Sequence, residues 1–153
     1  MKPSLSTRLG LALSTSLWIA GAAIAAEGAV EKVSVRAVAH FDFDRANIRP
    51  DEQAAILAEV GKMKGVTWQS VTATGHTDSI GDAGYNSRLS DQRARTVKSY
   101  LVGKGLDPSM IKTQGKAAAA PVADNASDDG RAKNRRTEIE FQGVRATASP
   151  TAR

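Results

Sequence analysis

The chain has 153 residues, enough for one domain with a modest core. Hydrophobic residues make up 41%, charged residues 24% and aromatics 5%, so a globular core has to rest on Val, Ile, Leu and Ala. No cysteine is present, which excludes a disulfide framework and a thiolate metal site.

Lys2 and Arg8 form a basic start, Leu9 to Ile24 is mostly apolar, and Ala23-Ile24-Ala25 fits a small-residue cleavage site. Residues 1–26 therefore read as a secretory signal. The rival is an uncleaved anchor, although the run is short for a span and diluted by Ser14, Thr15 and Ser16. A lipoprotein anchor needs a cysteine after the signal, and the chain has none. The formal charge of the whole chain is +5, from 21 basic and 16 acidic residues; without Lys2 and Arg8 it is about +3. Acids alternate with the bases, so the positive balance does not make the chain a nucleic-acid binder.

Residues 33–38 alternate apolar and polar, which predicts a strand with one buried face. Pro50, followed by Asp51 and Glu52, predicts a helix start. Ala54, Ile56, Leu57 and Val60 continue it at helical spacing, and Gly61 and Gly65 end it. VTWQSVTAT (66–74) is rich in β-branched residues and predicts a second strand. After a loop over 75–84, residues 85–102 predict a helix with Leu89, Val97, Tyr100 and Leu101 on one face, closed by Gly103 and Gly105. Residues 106–109 turn into a short strand at 110–114. Residues 115–134 are expected as a long polar loop, 135–142 as the last strand, and 144–153 as a disordered tail. The order β-α-β-α-β-β implies a two-layer α/β (α+β) sandwich with one mixed sheet of about four strands, the last antiparallel.

Within GHTDSIGDAGYNSRLSDQRARTVKSYL (75–101), a carboxylate, Asp78, sits in a turn, and Arg93 follows fifteen residues later on a helix. Either the two form a plain salt bridge, or both face a third party carrying charges of both signs.

Three stretches, FDFDRANIRPD (41–51), the run from Gly75 to Gly105, and NASDDGRAKNRRTEIEF (125–141), carry a resemblance. The sequence resembles the OmpA-like domain family, the peptidoglycan-binding C-terminal module of outer membrane protein A, peptidoglycan-associated lipoprotein and MotB, here as a free-standing exported domain over residues 27–143. The resemblance implies non-catalytic binding of the free zwitterionic end of diaminopimelate in the peptidoglycan stem peptide. It places the turn acid at Asp78 and the helix arginine at Arg93, with supporting contacts from Asp44, Asn86 and Arg135. Ile80 and Leu89 fall near the pocket by the same comparison, and Phe43, Ile80 and Leu89 are candidates for its apolar wall. Both Asp78→Ala and Arg93→Ala are then expected to remain folded and lose binding. Where relatives often read Gly-x-Gly-Glu, this chain reads Gly115-Lys116-Ala117-Ala118.

No cofactor and no metal are expected: His40 and His76 fit no compact ligand spacing and read as satisfied strand-end or core histidines. Arg88 and Arg95 read as a solvated helix face, and Arg136 as a surface or strand partner while Arg135 faces the pocket. The expected location is the periplasm, peripheral to the cell wall or outer membrane. Peptidoglycan is the expected partner and nucleic acid is not; an envelope protein partner or a homodimer stays open. The competing functions are an exported cell-wall hydrolase and a membrane-tethered, stator-like wall anchor.

Overall fold

A computed structural model describes residues 28–147; the expected signal, residues 1–26, and the last residues of the expected tail lie outside them. The elements run β1 (Val30–His40), α1 (Pro50–Gly61), β2 (Val66–Gly75), α2 (Ala83–Gly103), β3 (Ile111–Gly115), α3 (Asp128–Asn134) and β4 (Arg136–Ala146). The architecture is the expected α/β sandwich, with one mixed sheet of four strands in the order β1-β4-β2-β3. β4 is antiparallel to both neighbours, and β2 is parallel to β3. β1 and β2 are joined through α1 but are not neighbours, because β4 lies between them.

Alternation in β1 sends Val33, Val35, Ala37 and Ala39 into the core. They meet Val71, Ala73, Ile111, Ile139 and Phe141 from the other strands and Ile56, Ala94, Val97 and Leu101 from the helices. Trp68 packs beside Phe141, ring centroids 5.5 Å apart. Pro50 opens α1 with Asp51 and Glu52 in its first turn, where the helix dipole favours acids. α2 begins two residues before the expected Tyr85, because the Asp82 carboxylate accepts from the Tyr85 N–H at 2.7 Å and caps the first turn.

Two expectations change. The segment 115–134 is not all loop: Ser127 caps α3 by accepting from the Gly130 N–H. Short polar helices such as this have almost no apolar periodicity to read. β4 also runs past 142, so Val144–Ala146 belong to the sheet, paired with Val30–Lys32, and not to a tail.

The side chains buried on α2 are Asn86, Ser90, Arg93, Ala94, Val97 and Leu101, a stripe that is polar in its first half and apolar in its second. The polar half lies against the C-terminal ends of β2 and β3. There a Cβ on Gly75 would fall 1.9 Å from the Ser90 carbonyl oxygen, so only glycine lets helix and sheet approach this closely. Ser90 Oγ in turn accepts from the Ala117 N–H at 3.0 Å. Ala117 has φ +49, a left-handed conformation that costs a side-chain-bearing residue about 1–2 kcal/mol. Ala117→Gly relieves that cost, partly offset by glycine's greater freedom in the unfolded chain. The expected net gain is about 0.5–1 kcal/mol, readable as a rise in the urea midpoint.

Candidate functional site

The sheet registers pair His40 with Arg136, and Gly75 with both Thr137 and Gly115. The segments leaving β1, β2 and β3 and the residue entering β4 therefore converge at one end of the sheet, where the polar half of α2 passes. Together they enclose a cavity of about 270 Å³ lined by Phe43, Asp44, Thr77, Asp78, Ile80, Gly81, Tyr85, Asn86, Leu89, Arg93 and Arg135. All eight residues singled out from the sequence stand on this one cavity. Thr77, Gly81 and Tyr85 join them on the wall, and none of the three carries a charge that marks it in the sequence.

Asp78 is 3% exposed. Its Oδ1 accepts from the Ile80 N–H at 3.0 Å, which closes the turn, and its Oδ2 accepts from Arg135 Nη1 at 3.2 Å. The acid's ion-pair partner is thus Arg135, not Arg93. Arg135 is itself held by donation from Nε to the Phe41 carbonyl at 3.0 Å.

Arg93 is fully buried at 0% exposure. Its Nε donates to the Arg45 carbonyl, Nη1 to that of His76 and Nη2 to that of Asp42, and the guanidinium lies 5.1 Å from the centre of the Phe41 ring. Three of its five N–H groups are used this way, leaving two. Burial pushes its pKa down to about 10, against the pull of Asp78 and Asp44 and with help from Arg135, so it is a cation at neutral pH.

Asp44 reaches the cavity from a left-handed backbone, φ +54, and its carboxylate accepts from the Tyr85 hydroxyl. A non-glycine residue held there is strained and has to be fixed by its surroundings; the Tyr85 bond supplies one such restraint. Phe43 and Ile80 are 58% and 47% exposed and form an apolar rim. The wall carries two acids, Asp44 and Asp78, and two arginines, Arg93 and Arg135, and is electrically balanced. Two buried polar atoms on it, Thr77 Oγ1 and Asn86 Oδ1, have no hydrogen-bond partner among the described residues.

The loop before β4 is held by Asn134, whose Oδ1 accepts from the Val122 and Ala123 N–H groups and whose Nδ2 donates to the Ala123 carbonyl and to Asn125 Oδ1. Asn125 Oδ1 also accepts from the Ser79 N–H at 3.2 Å. This network ties the Asp78 turn to the segment that delivers Arg135.

Two parts of the sequence expectations fail beside the cavity. Of the alternatives for Arg136 the surface one fails and the strand one holds: it is buried, 4% exposed, on β4, and donates to Glu138 of the same strand, to the Ala120 carbonyl and to that of Asn134; inward alternation from the start of β4 outweighs its charge because these acceptors await it. His76 is buried but not satisfied, since neither ring nitrogen has a hydrogen-bond partner among the described residues, Nε2 lying 3.9 Å from the Glu138 carboxylate. His40 does sit at a strand end, its Nδ1 3.5 Å from Glu52. Arg88 and Arg95 are exposed as expected. Among the described residues no group of three or more His, Asp or Glu side chains is placed to hold a metal ion.

Burial lowers the His76 pKa below its ordinary value; the charges of Arg136 and Lys116 act the same way, and Glu138 opposes them. The folded state then binds fewer protons here than the unfolded chain as pH falls below about 6.5. Stability is undiminished above that pH and declines below it, by at most about 1.4 kcal/mol per pH unit from this one proton. Urea unfolding at pH 7 and pH 5.5 should show wild type losing more stability than His76→Gln; equal losses would exclude the effect.

The fold and cavity define a two-layer α/β domain whose cleft is lined by balanced opposite charges. The chain belongs to the OmpA family, whose profile matches residues 40–135. It is 42% identical to outer membrane protein A of Bordetella avium over 114 residues, covering 74% of this chain and 59% of that protein. It is 40% identical to the peptidoglycan-binding protein ArfA of Mycobacterium tuberculosis over 99 residues, covering 65% of this chain and 30% of ArfA. The chain thus spans less than two thirds of these relatives. Its fold is similar to the peptidoglycan-associated lipoprotein of Burkholderia pseudomallei, with a TM-score of 0.61 and 25% identity over 69% of this chain and 90% of that one.

Proposed function

We propose that the protein binds peptidoglycan without catalysis, by taking the free zwitterionic end of diaminopimelate into the Asp78 cavity, and so anchors itself or a partner to the cell wall of the envelope. The observation that carries this reading is the balanced wall of two acids and two arginines, with two buried oxygen atoms unpartnered beside it. The names of ArfA and of the Burkholderia lipoprotein support the polymer as the ligand.

The ligand's ammonium donates to Asp78 and to the free oxygen of Asn86. Its carboxylate accepts from Arg135 and from the N–H groups that Arg93 has not spent on carbonyls. Such charge-assisted bonds contribute about 1.5–3 kcal/mol each when water is kept away, and nearer 0–1 in open solvent. Phe43, Ile80 and Leu89 provide the partial closure that puts the site toward the upper figure.

A stem peptide with lysine at the same position has the ammonium but no carboxylate beside it. The arginines are then left without their partner, a loss that binding sites discriminate against strongly. The test is co-sedimentation with purified sacculi of both types. Protein should pellet with diaminopimelate-type wall and stay in the supernatant with lysine-type wall; equal retention on both removes the zwitterion from the account.

A further inference from the structure

Beside the Asp78 cavity lies a second, wider groove of about 580 Å³, whose polar lining includes Asp44, Arg45, Asn47, Arg88 and Gln92. The two share Asp44, Tyr85 and Leu89, so a ligand leaving the first passes into the second. The arginines single this groove out. Of the ten arginines among the described residues, seven pair with an acid: Arg36, Arg49, Arg95, Arg131, Arg135, Arg136 and Arg145. Arg93 is spent on carbonyls. The two that remain are Arg45 and Arg88. Both are exposed, neither side chain has an ion-pair or hydrogen-bond partner among the described residues, and both stand on this groove. Its one acid, Asp44, is engaged by the Tyr85 hydroxyl. The first cavity is neutral overall, and the second carries a positive excess.

We infer that the groove is an anion subsite for a backbone carboxylate of the same ligand peptide; this rests on the reading of the Asp78 cavity given above. In a stem peptide the residue before diaminopimelate is a D-glutamyl unit joined through its side chain, which leaves its α-carboxylate free. With the zwitterionic end in the first cavity, that carboxylate enters the groove between Arg45 and Arg88. Arginine suits a carboxylate because its fork can donate two parallel bonds. Asn47 and Gln92 add neutral donors beside it.

The test uses the purified protein in calorimetric titrations with three ligands: free diaminopimelate, the tripeptide L-alanyl-γ-D-glutamyl-diaminopimelate, and the same tripeptide with the glutamyl α-carboxyl converted to an amide. Because the groove is open to water, the expected preference for the free carboxyl is about fivefold, shrinking as salt is raised. Arg45→Gln and Arg88→Gln should each reduce that preference, and together abolish it, while leaving the affinity for free diaminopimelate unchanged. Both positions are exposed, and circular dichroism checks that the fold is kept. If diaminopimelate binds but the two tripeptides bind alike, the subsite is overturned and the first cavity stands. If none of the three binds, both are overturned.

Discussion

Asp78→Asn lowers retention on diaminopimelate-type sacculi by about tenfold to a hundredfold, the equivalent of one charge-assisted bond in a partly closed site, while the domain stays folded. Asparagine keeps an oxygen for the Ile80 N–H that closes the turn, so the 76–82 segment holds its shape. What is lost is the negative charge that faces Arg135 at 3.2 Å and that would receive the ligand's ammonium. The cavity wall changes from balanced to net positive, which also disfavours a cationic group directly. Co-sedimentation gives the binding and urea unfolding gives the fold; a variant that pellets as wild type does would remove Asp78 from the site.

Arg93→Ala has a different effect: it strongly destabilises the domain. From sequence the two positions look equivalent, and both alanine variants are expected to fold. The structure overturns this for Arg93. Its guanidinium bonds carbonyls of Asp42 and Arg45 from the segment after β1 and of His76 from the segment after β2. Alanine leaves the His76 and Arg45 carbonyls without a donor, while the Asp42 carbonyl keeps the Arg45 N–H, and it opens a void against Phe41. Each orphan kept from water costs about 1–3 kcal/mol, so two of them together with the void cost about 4 kcal/mol. That is a large part of the stability of a domain whose total is about 5–15 kcal/mol. Arg93→Lys gives little rescue, since one ammonium on a flexible stem cannot span three carbonyls in the plane of a fork. Equilibrium urea unfolding decides it: an Arg93→Ala protein within about 1 kcal/mol of wild type would show that the carbonyl bonds are not structural. Loss of wall binding in this variant is therefore no measure of ligand contact, whereas loss in Asp78→Asn is.

Much of this was legible in the chain itself. Alternation in β1, β-branched enrichment in β2 and the glycine-bounded helix between 85 and 102 mark the main elements, because burial of one face imposes a period that composition displays. The motif spacing marks all eight proposed site residues, since acids, arginines and apolar rim positions keep their identities wherever the chain folds. α3 escaped because its seven residues are held by a serine cap and by the hydrogen bonds of Asn134, neither of which leaves a periodic trace. The inward turn of Arg136 and the unsatisfied burial of His76 escaped because each depends on which groups approach from distant strands and loops.

By itself, then, the order of residues determined the strands and main helices, the family, and which side chains are candidates for the cleft. Only the tertiary structure decided how those side chains divide their labour: Asp78 pairing with Arg135, Arg93 turned inward onto backbone carbonyls, Arg45 and Arg88 left without partners on the adjoining groove. Periodicity and motif spacing are properties of neighbours along the chain. Ion-pair choice is settled by distance in space, once β4 has inserted between β1 and β2 and brought residue 135 beside residue 78.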